Sequence, residues 1–552
     1  MAIEVVAGNF FAAPEGFIAV IEHVSTKQWG RKQSYQNLFR ATLQSERGRM
    51  RCASAGVSAG EHLSALTLGA LAFLLLISYS FYSFIVPQTP ARLMRPSARL
   101  IHEFPLWSFI ASFRLPILQT GQGVAILLVS FGLTAFTIYA LALYVSWRAP
   151  SKPANIVVVL LAAVVFFAIS AFSLPNFSTD IFDYIVRGRV ATVYDSNPYY
   201  TPADRFPDDP IYTYASHQYT RLVADKMPTW MIINTLLARL TDDNPVTDLL
   251  VYRLVFMLFN LANVAIIGLI AHKLNRQHKI TGIVAYAWNP IVALHGQGKA
   301  DTVLVFFLLL AILLLIKTRS YLAIVSLTLS VFVKLITLPL MIVYLLREAR
   351  LKRWRQLGID TLLLLLTTLA IYAPFAREPG LILRHLSFLS VAGSAIPGST
   401  RLLFVLAFGV FILVVCLFQD GSHEKLLGSW ALVTLFFSLF LTKFGLSHYL
   451  ITLVALTSLT LDWRILPITT TLSFSGFIFN TWYTNSNSTF PLPSVFTSPK
   501  FFIYLALPSI VTACLVAVLV WQGWQNSELS SSKKLHSVLE PLQPLSRISR
   551  RS

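Results

Sequence analysis

The sequence predicts an all-α polytopic membrane protein, a bundle of about 13–14 transmembrane helices. The 552-residue chain is 55% hydrophobic and only 12% charged, whereas soluble domains carry about 25% charged residues. Its mean hydropathy is +0.65. Apolar runs of about 20 residues, the length of helix that crosses a bilayer, recur along most of the chain.

The apolar runs follow one another from residue 64 to residue 522. Candidate spans are 64–86, 122–147, 155–174, 250–271, 281–296, 300–316, 357–375, 401–419, 426–442, 447–461, 465–482 and 501–522. A further segment, 320–346, has Lys334 and Pro339 near its middle. It is either one tilted helix or two short helices that meet at 333–339.

Loop charge predicts the orientation, because cytoplasmic loops of membrane proteins are enriched in Lys and Arg. The basic loops after 122–147, 250–271 and 300–316 all fall on one side, and the cluster at 347–355 joins them only if 320–346 is a broken pair. We therefore expect the broken pair. The predicted organisation is then a cytoplasmic tail, a membrane domain whose large loop is extracytoplasmic, and a disordered basic tail. Their bounds are 1–63, 64–524 with the loop at 175–247, and 525–552.

Charge and motifs exclude several classes of protein. The formal charge of +19 could suggest nucleic acid in a soluble protein, but here the basic residues flank apolar spans, so no nucleic-acid partner is expected. The three cysteines lie far apart and predict neither disulfides nor a metal cluster. The sequence has no Walker A loop, dinucleotide fingerprint, HExxH motif or nucleophile elbow.

The stretch 178–190 concentrates charge at the end of an apolar run. As a helix it places Asp180, Asp183, Tyr184 and Arg187 on one face. We expect a short amphipathic helix on the membrane surface, with its carboxylates turned to water or to a cavity. The alternative is that the two acids merely stabilise a helix N-terminus through its dipole.

Aromatic residues follow this stretch. Asn197-Pro198 predicts an extended bend, and the tyrosines around it would suit the apolar face of a sugar ring. Next, 227–240 reads as an interfacial helix with Trp230 at the headgroup level, or as a simple membrane anchor.

Three later segments carry polar groups at the ends of spans. Asn289-Pro290 breaks the apolar span 281–296. His295, Lys299 and Asp301 crowd the turn at its outer end, where they either line a cavity or form a tight hairpin with local pairing. Lys334 either reaches the interface from a helix end or binds an anion. His448 could bind phosphate or a sugar hydroxyl, or could be structural.

These motifs resemble the GT-C integral-membrane glycosyltransferases that use polyprenyl-phosphate sugars, in particular the bacterial alpha-1,6 mannosyltransferases. The most specific block is Ser178, Asp180, Tyr184, Gly188-Arg189 and Asn197-Pro198-Tyr199. Pro228 and Trp230, Asn289-Pro290 with Asp301, Lys334, and His448-Tyr449 match shorter motifs. The residues at 226–227 and 299–300 differ from the family pattern. These differences affect which branch of the family the chain resembles, and therefore which sugar is transferred.

The resemblance implies a multi-pass GT-C-like hexosyltransferase of the cell envelope, with its active site on the extracytoplasmic face of the cell membrane. It implies transfer of mannose, with inversion, from a polyprenyl-phosphate donor to a lipid-linked or glycan acceptor. The sequence has no acid cluster dense enough for a dedicated metal site, so we expect catalysis without metal or cofactor. Asp180 is the expected general base and Asp183 its reserve. Cations for the donor phosphate are Arg187, Arg189, Lys299, Lys334 and His448. Expected sugar- or acceptor-binding residues are Tyr184, Asn197, Tyr199, Trp230, His295 and Asp301.

Two other functions are compatible with the sequence. A transporter or flippase of lipid-linked sugars would need related halves or ionisable residues at mid-membrane, and no clear internal repeat is evident. A non-catalytic subunit of an envelope-assembly complex would bind the lipid-linked sugar and form no product.

Overall fold

The computed structural model consists of helices joined by turns and loops over the residues that it describes. It describes residues 63–84, 99–101, 103–112, 121–175, 180–274, 278–375, 381, 398–440, 447–462 and 464–486. No strand occurs in these segments, and the all-α prediction is confirmed for them. The predicted C-terminal tail, the span 501–522, Ser178 and all but the last residue of the predicted N-terminal tail lie outside the described residues.

The described helices fall on either side of residue 278. Before it are α1 (Leu63–Phe84), α2 (Pro105–Ala111), α3 (Gly121–Arg148), α4 (Pro153–Phe172), α5 (Asp180–Thr192), α6 (His217–Thr220), α7 (Pro228–Ala238) and α8 (Pro245–Lys273). After it are α9 (Lys279–Ala287), α10 (Asp301–Ile316), α11 (Ser320–Val331), α12 (Leu338–Arg350), α13 (Trp354–Tyr372), α14 (Gly398–Leu417), α15 (His423–Phe440), α16 (Ile451–Thr460) and α17 (Ile465–Ser486).

Five of the described helices are long and apolar enough to cross a membrane. They are α1, the part of α3 from Leu127 to Arg148, α4, α8 and α13. Shorter apolar helices include α10 and α11. These helices agree with the prediction of an all-α membrane protein, while the total of about 13–14 spans stays a prediction.

Two predicted interruptions of apolar runs occur in the structure. Helix α9 ends at Ala287, and a single π-helical turn, Ile291–His295, follows Asn289-Pro290. Likewise α11 ends before Lys334, whose backbone is extended, and α12 starts at Leu338. Pro339 lies in the first turn of α12, where a missing N–H costs nothing. The prediction of two helices within 320–346 is therefore confirmed.

Helix α5 differs from the surface helix that its sequence predicted. Every residue from Ile181 to Val190 is buried, charged residues included. Gly188 allows close packing on α7, since a Cβ there would lie 2.8 Å from the Ala238 Cβ. Asn234 of α7 also donates a hydrogen bond to the carbonyl of Tyr184, at 2.8 Å. The charges of α5 find partners inside the protein, so this helix does not need water on its polar face.

Helix α7 is also more buried within the protein than its sequence predicted. Trp230 is fully buried, stacked on Phe256 of α8 with ring centroids 5.6 Å apart. The start of α8 is capped by Asn244, whose side chain accepts hydrogen bonds from the backbone of Val246 and Thr247. Trp230 is thus a core residue that joins α7 to α8, and its ring is not exposed to lipid headgroups as an interfacial tryptophan would be.

Candidate active site

The carboxylate of Asp180 forms an ion pair with Lys299 at the N-terminus of α5. Lys299 Nζ lies 2.6 Å from Asp180 Oδ2, across 119 positions of sequence. The Asp180 side chain is 28% exposed and that of Lys299 only 8% exposed. Lys299 follows Gly298, whose φ of +109° strongly favours glycine, in the turn that leads into α10. The two motifs thus meet at an acid that remains open to solvent or substrate.

A second ion pair uses the break between α11 and α12. Lys334 Nζ donates to both carboxylate oxygens of Asp301, at 2.9 and 3.1 Å. The same ammonium lies 3.9 Å from the centroid of the Tyr449 ring, and His448 packs against that ring. A cation over an aromatic face is held by the ring quadrupole. The broken helix therefore brings Lys334 to Asp301 and to the His448-Tyr449 motif.

Asp183 lies one helical turn beyond Asp180 in different surroundings. Its side chain is buried, and Oδ1 accepts a hydrogen bond from the backbone N–H of Ser216 at 3.0 Å. Burial and the neighbouring charge of Asp180 raise the pKa of Asp183 to about 7, against the opposing effect of Arg187. Asp183 is therefore less accessible than Asp180.

Asp225 and Lys226, which no sequence motif indicated as site residues, complete the surroundings of α5. Asp225 forms ion pairs with Arg187 and with Lys226, the latter at 2.7 Å. Although burial opposes it, these two cations hold the pKa of Asp225 well below its usual range. The charge of Lys226 also acts on Asp180 and Asp183. An adjacent acid and base in a loop give a weak sequence signal, because such pairs are common on surfaces.

These residues form what we call the charged cluster. It consists of four acids and four cations: Asp180, Asp183, Asp225, Asp301, Arg187, Lys226, Lys299 and Lys334. His448 lies close enough to feel the charges of Lys226, Lys299 and Lys334. The formal charges of the cluster cancel, and each of its cations is paired with an acid.

Arg189 lies apart from the charged cluster. Its Nε donates to Asp209 at 2.8 Å, and its two terminal nitrogens donate to the carbonyl of Asp242 and the carboxylate of Asp243. These bonds tie α5 to the segment that precedes α8. Because all three nitrogens are engaged, the structure does not support the expectation that Arg189 binds the donor phosphate.

Side chains of the tyrosine-rich turn after α5 bind and pack against other parts of the protein. Asn197 Nδ2 donates to the carbonyl of Phe375, and Asn197 Oδ1 accepts from the backbone N–H of Tyr199. Tyr199 is buried against the Phe375 ring and donates to the carbonyl of Lys226 at 2.8 Å. Tyr194 stacks on Phe206. Tyr199 is thus covered by protein, and Phe206 covers one face of Tyr194, which speaks against the expected sugar platform.

Tyr184 and Trp230 are likewise packed against each other. Their rings meet edge to face with centroids 4.9 Å apart, and both side chains are buried. Neither ring offers an open face to a sugar or acceptor in this structure. Both residues instead hold α5 and α7 together, a role that their motif does not distinguish from sugar binding.

His295 lies on the wall of a small polar pocket beside the charged cluster. Its ring stacks on that of Phe477 in α17, with centroids 4.9 Å apart. Lys299 and Ile181 also line the pocket, so it borders the Asp180–Lys299 pair. No group of three potential metal ligands occurs among the described residues, and metal-free catalysis stays a prediction.

The comparison with protein families gives one finding. Residues 95–350 match the family model described as alpha-(1->6)-mannopyranosyltransferase, N-terminal domain. No curated protein and no solved structure matches the chain. The matched range includes all eight residues of the charged cluster and ends before His448. The family implies an alpha-mannosyltransferase activity. Over residues 95–350 the chain is therefore similar to the alpha-(1->6)-mannopyranosyltransferases, the resemblance that its motifs indicated.

Proposed function

We propose that this protein is a GT-C-type mannosyltransferase that takes mannose from a polyprenyl-phosphate donor. The acceptor is a glycan or glycolipid, and the reaction takes place at the extracytoplasmic face of the cell membrane. The family match supports the mannosyl group and the class of reaction. The apolar helices support a lipid-linked substrate, because the reacting groups of such a donor lie at a membrane surface.

The observation that carries this proposal is the setting of Asp180. Its carboxylate is partly exposed at the N-terminus of α5, held by Lys299 at 2.6 Å. A positioned carboxylate of this kind can take the proton of an acceptor hydroxyl. Asp183 is buried and hydrogen-bonded to Ser216, so it serves better to position α5 than to meet a substrate.

The proposed step is a direct displacement at the anomeric carbon. Asp180 removes the hydroxyl proton of the acceptor, and the oxygen forms the new glycosidic bond. The bond between the anomeric carbon and the phosphate oxygen breaks, and the phosphate leaves with its electron pair. A beta-linked donor therefore gives an alpha-glycoside, and the proton remains on Asp180 until solvent removes it.

Cations near Asp180 would stabilise the charge that grows on the leaving phosphate. Lys299 lies beside the base, and Lys334 lies over the Tyr449 ring next to His448. Because burial and three nearby lysines disfavour the charged form of His448, its imidazole would contribute a hydrogen bond rather than a positive charge. A phosphate that enters would compete with Asp180 and Asp301 for these ammonium groups. The ion pairs thus hold the lysines in place before the donor binds.

The proposed sidedness rests on the basic residues at helix ends. Arg148 ends α3 and Lys152 precedes α4, while His272 and Lys273 end α8. Basic residues favour the cytoplasmic side. Because α4 leaves that side and α8 returns to it, residues 175–247 and the charged cluster belong on the opposite side.

The proposal is tested with the purified protein in lipid nanodiscs. Polyprenyl-phosphate mannose, polyprenyl-phosphate glucose and GDP-mannose, each labelled in the sugar, are offered separately with a glycolipid acceptor fraction. We expect an alpha-mannoside from the first donor only. Product from GDP-mannose alone would contradict the donor, and product from the glucose donor alone would contradict the sugar. In a parallel assay with sealed proteoliposomes, movement of the labelled lipid across the bilayer without product would indicate a flippase instead.

A further inference from the structure

The polar pocket beside the charged cluster has an unusual lining for the inside of a helical bundle. Its polar residues are Ser83, Ser173, Arg253, His295, Gln297 and Lys299. It lies where α4 ends and where α8 passes the turn that precedes α10. Polar groups at such positions are costly unless they find partners or line a functional cavity.

Arg253 brings a positive charge to this pocket without an acid to neutralise it. Its side chain, on the membrane helix α8, is 4% exposed. One terminal nitrogen donates to the carbonyls of Ser170 and Ser173, the first at 2.5 Å. No carboxylate contacts Arg253 in the described part of the chain, and its Nε has no hydrogen-bond partner there. An arginine keeps its charge in proteins, so an anion would find compensation here.

Gln297 provides a second, independent indication of a ligand. Its side chain is only 6% exposed, yet neither its amide nitrogen nor its amide oxygen has a partner among the described residues. A buried amide without hydrogen bonds costs free energy that a bound ligand would recover. The amide nitrogen is a donor suited to an anionic oxygen.

The other cations near the site are already paired with acids, so an anion would favour this pocket. Arg187, Lys299 and Lys334 are each paired with an acid, and Arg189 is bound to two acids. Arg253 is different, because only carbonyl and hydroxyl oxygens contact it. Lys299 joins the two sites, since it lines the pocket and also lies 2.6 Å from Asp180.

We propose that this pocket binds a phosphate group through Arg253 and Gln297. Resting on the function proposed above, that phosphate belongs to the polyprenyl-phosphate donor. A guanidinium binds phosphate through paired hydrogen bonds, and the Gln297 amide adds another donor. Lys299 then lies between the phosphate and Asp180. The bond between the anomeric carbon and the phosphate oxygen is therefore near the base. The anomeric carbon is thereby positioned from the α8 side of the bundle.

The test measures binding of a sugar-free polyprenyl phosphate to the full-length protein in phosphatidylcholine nanodiscs. The variants are Arg253→Gln and Gln297→Leu, with Thr281→Val as the control. Thr281 is buried on α9 with its hydroxyl unpartnered among the described residues, and it does not line the pocket. Polyprenol without phosphate and inorganic phosphate as competitor complete the design.

We expect each pocket variant to weaken binding by about tenfold or more, the effect of a lost hydrogen bond to a charged group. Thr281→Val should bind as the native protein does. Inorganic phosphate should compete, and polyprenol should bind much more weakly. If Arg253→Gln fails to fold, Gln297→Leu still tests the proposal, because the Gln297 side chain makes no hydrogen bond in the described chain. Native affinity in Gln297→Leu, or equal binding of polyprenol, would overturn the proposal.

The outcome for the pocket is separable from the outcome for the function. If both pocket variants bind the lipid phosphate normally while the native protein transfers mannose, the pocket assignment is wrong and the function stands. If the pocket variants lose binding while the native protein transfers no sugar from any donor, the phosphate site stands and the transferase function is wrong.

Discussion

Asp180 and Asp183 show how the same residue type takes on different chemistry one helical turn apart. Asp180 has a cation at 2.6 Å and a partly exposed carboxylate. Asp183 is buried, close to the charge of Asp180, and its pKa is raised to about 7. The sequence predicted the order of importance of the two acids, but it could not show why. The difference comes from Lys299 and Ser216, which are distant in sequence.

The raised pKa of Asp183 predicts how stability depends on pH. The carboxyl is neutral in both states below its unfolded pKa of about 3.9. Between about 4 and about 7 the folded state binds more protons than the unfolded state, so this group lowers stability as pH rises. Asp183→Asn removes that loss and keeps an oxygen to accept from Ser216. We expect the thermal midpoint of the variant to gain on the native protein from pH 4 to pH 8, in detergent.

The matched control for this experiment is Asp204→Asn, at an exposed acid of the segment between α5 and α6. Its midpoint should follow that of the native protein across the pH range. A constant difference between Asp183→Asn and the native protein would contradict the raised pKa, because only a titrating group produces a difference that changes with pH.

At the scale of elements, the packing of α5 on α7 explains a glycine in the motif. A Cβ at Gly188 would lie 2.8 Å from the Ala238 Cβ and 3.0 Å from the Tyr252 hydroxyl. The first distance is too short for packed atoms, and the second would require the hydroxyl to move by a few tenths of an ångström. The Gly188-Arg189 pair of the family motif therefore combines a close helix contact with an arginine that ties down the loop.

We predict that Gly188→Ala destabilises the protein by about 1–3 kcal/mol, the usual cost of overpacking. Gly358→Ala is the control, since Gly358 lies in α13 with nothing within 4 Å of its would-be Cβ. Alanine there should be neutral or slightly stabilising, because glycine is a poor helix former. The measurement is reversible unfolding in mixed micelles. Equal effects of the two substitutions would contradict the close contact of α5 and α7.

The positions and interruptions of the helices were easier to predict from the sequence than the contacts of their side chains. Helix 180–192, the interruption at Asn289-Pro290 and the break around Lys334 follow from local signals: proline, glycine and a charge within an apolar run. The burial of Trp230 and Tyr199 could not be predicted in this way. An aromatic side chain in an amphipathic stretch suits a membrane interface, a sugar and a protein core equally well, and only the neighbouring elements decide.

At the scale of the whole molecule, the fold brings distant acids and cations into one neutral cluster. Asp180 meets Lys299, and Asp301 meets Lys334, through the turns at the ends of α5, α10 and α11. The sequence indicated most of the participants because charges are rare in an apolar chain. It could not indicate their pairing, nor Arg253, which is hidden within an apolar helix and matches no quoted motif.

The ion-paired charged cluster and Arg253, which no acid neutralises among the described residues, have different roles in the proposed mechanism. The paired cluster holds the base, and Arg253 with Gln297 offers a place for the phosphate of the donor. Both lie in residues that match the mannosyltransferase family. In this account the ion pairs keep the site assembled while it is empty, and the donor phosphate replaces part of that pairing during turnover.

The most direct test of the account is the rate of mannose transfer by Asp180→Asn. Transfer from labelled polyprenyl-phosphate mannose is compared with that of the native protein and of Asp208→Asn, which removes an exposed acid of the same loop. All three are matched for elution volume and thermal midpoint. We predict that Asp180→Asn lowers the rate by about 10²-fold or more, as loss of a general base does, while Asp208→Asn is unaffected. A native rate in a folded Asp180→Asn variant would contradict Asp180 as the base.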